Sequence, residues 1–199
     1  MMGWTGWNFS SISSSVDETR LPGEPAKDYV LRLAKAKCKV NIETAEPDHF
    51  IIAADTVVVL DDQILGKPAD TNHAKSMLKS LCGRYHQVIS GIAVQKAEDR
   101  EMRVDVCQSS VQMRNYSDEE MEAYVLSGDA LDKAGSYAIQ NPDFDPVVNF
   151  SGCFASVMGL PLCHLERTLS QYHNYQFTNL AEKCQSCLLY TSPSPRDRG

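Results

Sequence analysis

An aspartate stands inside the most apolar stretch of the chain. Asp55 separates Phe50-Ile51-Ile52-Ala53-Ala54 from Thr56-Val57-Val58-Val59-Leu60. Burying a carboxylate without a partner is costly. Asp55 therefore marks a strand end, an ion pair or a metal site. Two readings stay open at this point. A kink at Ala54-Asp55-Thr56 could turn the carboxylate into a ligand crevice beyond the carboxyl end of a strand. Alternatively, it forms an ion pair or a local cap. Three other charged residues could join it. Glu18 follows Asp17 in an exposed-looking segment, and Lys67 lies between Gly66 and Pro68, where the chain turns and a side chain can project. Lys37 falls on an otherwise apolar helix face, where its plain reading is a lysine snorkelling at the edge of the core. Together, two carboxylates and two lysines suit a metal-bound polyphosphate. Carboxylate oxygens hold Mg²⁺ or Mn²⁺, and ammonium groups neutralise phosphate oxygens. Taken singly, each is a solvated charge.

Other chemistries find no support. The sequence has no Walker-A loop, dinucleotide glycine fingerprint, nucleophile elbow or His-Glu-x-x-His. Cys184 and Cys187 form a lone Cys-x-x-Cys, a poor zinc site without a second pair. His49, His73, His86, His164 and His173 show no ligand spacing, and His164 reads as a packing residue. Seven scattered cysteines and no recognisable signal peptide predict a reducing, cytoplasmic setting. Nineteen Lys and Arg against 26 Asp and Glu give a net charge of −7. That balance argues against non-specific nucleic-acid binding, which needs clustered cations. No apolar run approaches the ~20 residues of a bilayer helix, so no membrane partner is expected. With 199 residues, 43% hydrophobic and 23% charged, the chain suits one globular domain.

The elements that must position these residues follow from periodicity. Tyr29, Val30, Leu33, Ala34 and Lys37 recur at three- and four-residue spacing, which predicts a helix over 26–40. The apolar run at 50–60 predicts a central strand buried on both faces, followed by a short arm at 64–68. A second helix is predicted over 71–82, stopped by Gly83. Paired strands are predicted at 87–95 and 102–113. A capping box, Ser117-Asp118-Glu119-Glu120, starts a third helix. Short strands are predicted near 7–12, at 135–140 and at 147–150, and a last helix over 160–172 with Pro161 in its first turn. Interleaved strands and helices favour an α/β fold. The proline- and serine-rich end resembles translated adapter or vector sequence. The expected division is a domain over 1–177 and an unstructured tail over 178–199.

Several blocks, in order, resemble one family. They are VDET at 16–19, YVLRLAKAK at 29–37, AADTVVVLDDQILGKP at 53–68, SLCGRYHQVISGIAV at 80–94, YSDEEMEAYVLSGDALDKAGSYAIQ at 116–140 and VMGLPL at 157–162. This pattern resembles the Maf (septum-formation Maf-like) nucleoside triphosphate pyrophosphatases. The resemblance implies an α/β fold, a mixed twisted sheet with flanking helices of the inosine-triphosphate-pyrophosphatase type, here without its first strand. It implies that Asp55 is the catalytic base or metal-bound acid and Glu18 a second acidic site residue. It makes Lys37 and Lys67 phosphate-facing, and Thr56 and Gln140 the positions linked to base choice, as in the branch acting on dTTP and UTP. It also implies a divalent cation (Mg²⁺ or Mn²⁺), a nucleoside triphosphate substrate and a possible homodimer. Residues 1–15 lack the family's Ser-x-Ser-Pro-Arg-Arg phosphate loop, which opens a second reading as a nucleotide-binding or regulatory protein with impaired turnover.

Overall fold

The apolar run around Asp55 forms β1 (Phe50–Leu60), one strand in from the edge of a five-stranded sheet. The computed structural model describes residues 2–43, 45–99, 101–172 and 180. His173, Cys184, Cys187 and all of the expected tail except Leu180 lie outside them. The other strands are β2 (Gln63–Leu65), β3 (Tyr85–Lys96), β4 (Arg103–Met113) and β5 (Val147–Ser151), in the order β2-β1-β3-β4-β5. All four pairings are antiparallel. Helices cover both faces, as interleaved elements and an apolar central strand imply.

On one face lies α1 (Ala26–Ile42), which runs two residues past its predicted end. Its Val30 packs with Val57 and Ile89, and its Ala34 and Cys38 pack with Ala93. A Cβ added at Gly91 would stand 2.8 Å from the Val30 carbonyl carbon, so only glycine lets the helix backbone approach β3 this closely. On the other face, α2 (Thr71–Leu81) and α3 (Asp118–Leu126) bury Leu78, Leu81, Met121 and Val125 against Val58, Val88 and Val111. The predicted capping box is present, with Glu120 N–H donating to Ser117 Oγ and Ser117 N–H to Glu120 Oε2. Beside this cluster, Phe154 of α4 (Phe154–Val157) and Leu162 and Leu165 of α5 (Leu162–Leu169) pack on Ile92, Val94 and Cys107. Leu180 is buried in the same cluster, and its N–H donates to Glu166 at 2.9 Å. No helix among the described residues is long and apolar enough to cross a membrane.

The local expectations fail in two places. Residues 7–12 form no strand; a 3-10 turn at Met2–Thr5 precedes them, and Met2 and Trp7 pack against the second cluster. Residues 135–140 are not a strand either. Gly135 and Ser136 adopt φ of 68° and 61° inside a 3-10 turn at Ala134–Ser136, a conformation a strand cannot hold. The predicted last helix is present as α5, shorter at both ends than 160–172 and with Pro161 at its N-cap rather than inside its first turn. Of the two readings open for Asp55, the kink is absent. The ladder with β3 runs unbroken from Phe50↔Lys96 to Val59↔Gln87.

Candidate active site

The loop before α1 carries Glu18 and is pinned by that helix. Tyr29 Oη donates to the Glu18 carbonyl at 2.8 Å. Arg32 donates to the Thr19 carbonyl at 3.0 Å and to both Glu24 carboxylate oxygens at 2.7 and 2.9 Å. Three turns along α1, Lys37 points at the sheet. Its Nζ lies 2.6 Å from Asp55 Oδ1 and 2.7 Å from Glu18 Oε1. Lys37 is thus no snorkelling residue. It bridges the two carboxylates, which is why β1 carries a largely covered aspartate in mid-strand without kinking.

The bridge sets the electrostatics. Burial raises the Asp55 pKa above the ordinary aspartate value, and the hydrogen bond from Lys37 opposes it. Burial works against charge on Lys37, but hydrogen bonds to Asp55 and Glu18 outweigh it and hold its pKa above the ordinary lysine value. The ammonium therefore stays charged. Lys67 is exposed and acts on Asp55 through space, lowering its pKa.

Successive strand residues point to opposite faces. Asp55 faces α1, whereas Thr56 faces α4, with its Oγ1 2.7 Å from Ser90 Oγ on the paired strand. A single cleft of about 340 Å³ nevertheless takes in both. This is possible at an open sheet edge. β2 pairs only with Val58–Leu60, so the outer side of residues 50–57 of β1 carries no strand among the described residues. The crevice thus lies along the flank of a strand rather than beyond its carboxyl end. Glu18, Lys37, Asp55 and Lys67 form one end; Thr56, Gln140, Tyr137, Met158 and Gly159 also line it. All six residues singled out in the sequence are brought together.

The irregular segment that replaces the expected strand at 135–140 builds one wall. Its turn is tied to the arm carrying Lys67 by Gly135 N–H donating to the Gly66 carbonyl at 3.0 Å. Gly135 sits where a Cβ would meet Val58 at 2.8 Å. Sequence reasoning missed Lys133 and Tyr137, which line the cleft. Lys133 pairs with Asp129 at 2.9 Å and Asp132 at 2.7 Å. Tyr137 Oη lies 2.7 Å from Nε2 of buried His86. The signal was available in LDKAGSYAIQ, where charge and a bulky aromatic flank a glycine. No histidine among the described residues lines the cleft. His164 is not a mere packing residue: its Nδ1 lies 3.1 Å from Asp105 Oδ2, beside Arg167.

The family described as Maf-like protein matches residues 1–172. A dTTP/UTP pyrophosphatase of Geotalea uraniireducens is 38% identical over 165 residues, covering 83% of this chain and 84% of the relative. One from Escherichia coli O157:H7 is 35% identical, covering 87% of each. One from Dictyoglomus turgidum is 37% identical, covering 86% of this chain and 89% of the relative.

Proposed function

This chain belongs to the Maf family, and we propose that it hydrolyses dTTP and UTP to the monophosphate and pyrophosphate. The observation that carries this reading is the single cleft that takes in Lys37 and Asp55 from one face of β1 and Thr56 from the other. In the reaction, water attacks the α-phosphorus, the bond from that phosphorus to the bridging oxygen breaks, and pyrophosphate leaves. Asp55 orients the water and accepts its proton; its raised pKa makes it a stronger base than a solvated aspartate. Lys67 and Lys37 face the phosphates, where fixed charge stabilises the developing negative oxygens. For Lys37, engaging a phosphate means loosening its bridge to the carboxylates.

A divalent cation fits the donor set in one way. Among the described residues no group of three or more His, Cys, Asp or Glu side chains is placed to hold a metal ion. Glu18 and Asp55 offer two carboxylates on one ammonium, which suits Mg²⁺ or Mn²⁺ shared between one or two carboxylates and substrate phosphates. Bound there, the ion would supply charge neutralisation on the phosphate oxygens.

Pyrophosphate release from dTTP and UTP, with and without Mg²⁺ or Mn²⁺, tests the reading. Turnover of both is expected, with Asp55→Asn slower by about 10²-fold or more. Calorimetric binding of dTTP without any pyrophosphate release would replace it with the non-hydrolysing alternative.

A further inference from the structure

A hydroxyl group carries one hydrogen and can donate once. The Ser90 hydroxyl donates to the backbone carbonyl of Ser156, in α4, at 2.8 Å. A carbonyl can only accept, so that hydrogen is committed. Ser90 Oγ also lies 2.7 Å from Thr56 Oγ1. With its own hydrogen used, Ser90 must accept here and Thr56 must donate. The order Thr56 to Ser90 to Ser156 is therefore fixed by chemistry. Ser90 is fully buried, so water offers its hydroxyl no alternative partner, and the bond from Thr56 is what fills its acceptor side. Thr56 and Ser90 are direct cross-strand partners, which holds the geometry. The consequence falls on the cleft, which Thr56 lines. Its hydrogen is turned into the protein, and its oxygen has only lone pairs left for a ligand.

We propose that Ser90 is a positioning residue that locks Thr56 as a hydrogen-bond acceptor, so that the cleft selects a pyrimidine whose ring N3 carries hydrogen. Uracil and thymine present N3–H to such an acceptor. Cytosine has nearly the same size but presents a lone pair at N3, and two lone pairs repel. This inference rests on the reading of the cleft as a pyrimidine nucleotide site and names the polarity by which it reads the base. A mismatched buried polar contact should cost about 10- to 100-fold in affinity.

The test is calorimetric binding of the α,β-imido analogues of UTP and CTP to the full chain. The wild type should bind the uridine analogue more tightly by about that factor. Ser90→Ala frees the Thr56 hydroxyl to rotate and donate, and should bring the two affinities within about threefold of each other. Thr56→Ser should keep the preference and Thr56→Val should lose it. A purely structural role for Ser90 would weaken both ligands alike and leave their ratio unchanged. If Ser90→Ala does not fold, as judged by circular dichroism melting, Ser90→Cys replaces it, because a thiol is weak in both roles. Equal binding of the two analogues by the wild type, no binding of either, or an unchanged ratio in a folded Ser90 variant overturns the proposal. Uridine-selective binding without pyrophosphate release would leave it standing and defeat the hydrolytic reading. Pyrophosphate release with no preference between UTP and CTP would do the reverse.

Discussion

Lys37 holds two carboxylates at 2.6 and 2.7 Å, and one of them, Asp55, has only 12% of its side chain exposed. Removing one partner of such a pair leaves a charge that water cannot fully reach. Fully buried pairs lose about 3–5 kcal/mol on that change. At the rim of a cleft, Lys37→Met should lower the unfolding free energy by about 2–3 kcal/mol in metal-free buffer. Adding Asp55→Asn removes the stranded charge and should restore more than half of the loss, although it deletes a second native group. Urea denaturation of the two single variants and the double variant checks this; a double variant less stable than Lys37→Met alone would show that the charge is not what costs. This site was half legible in the sequence for the same physical reason. An aspartate in an apolar run and a lysine on an apolar helix face each demand a partner, and they are each other's. Ser90 makes a similar demand inside Val88-Ile89-Ser90-Gly91-Ile92, but a lone hydroxyl is cheap to bury, so the sequence gives no reason to look for its partners.

At the scale of elements, the bridge depends on how closely α1 lies on the sheet. Gly91 faces the backbone of Val30 and Leu31, where an added Cβ would stand at 2.8 and 2.9 Å. Helix backbone cannot yield as a side-chain end can. Gly91→Ala should push α1 outward, cost about 1–3 kcal/mol, and weaken nucleotide binding by moving Lys37 away from Asp55, the cross-strand neighbour of Gly91. Gly66→Ala is the stability control: nothing lies within 4 Å of its added Cβ, so its denaturation midpoint should shift by less than about 0.5 kcal/mol equivalent. Equal effects of the two substitutions would sink the packing account. Long periodic elements such as α1, α2 and the strands are legible because period and burial agree. The wall at 134–140 is not: Ala, Tyr and Ile at 134–139 imitate a strand, and only the positive φ of Gly135 and Ser136 makes it a turn.

For the whole molecule, the distinctive titration belongs to a residue outside the chemistry. His86 is 3% exposed, its Nε2 meets Tyr137 Oη at 2.7 Å, and its Nδ1 has no hydrogen-bond partner among the described residues. Burial pushes its pKa down to about 4. An unfolded chain protonates this imidazole near its ordinary value of ~6.5. Between the two values the unfolded state binds a proton that the native state refuses, so stability must fall as pH falls. The loss between about pH 7 and pH 5 should be about 2 kcal/mol. Glu24 acts in the same direction but lower, because the hydrogen bond from Arg32 depresses its pKa, and its contribution fades only below its unfolded value of 4.5. Asp55 acts oppositely: burial raises its pKa, so its protonation on acidification favours the native state. His86 alone among the three weakens the fold in the range above pH 5. His164, whose pKa is raised chiefly by its hydrogen bond with Cys107, works the other way in this range, so the test is the difference: His86→Gln cannot titrate, and on going from pH 7 to pH 5 the wild type should lose about 2 kcal/mol relative to it. Parallel pH profiles for the wild type and His86→Gln would mean that the imidazole is not held neutral behind the wall of the cleft.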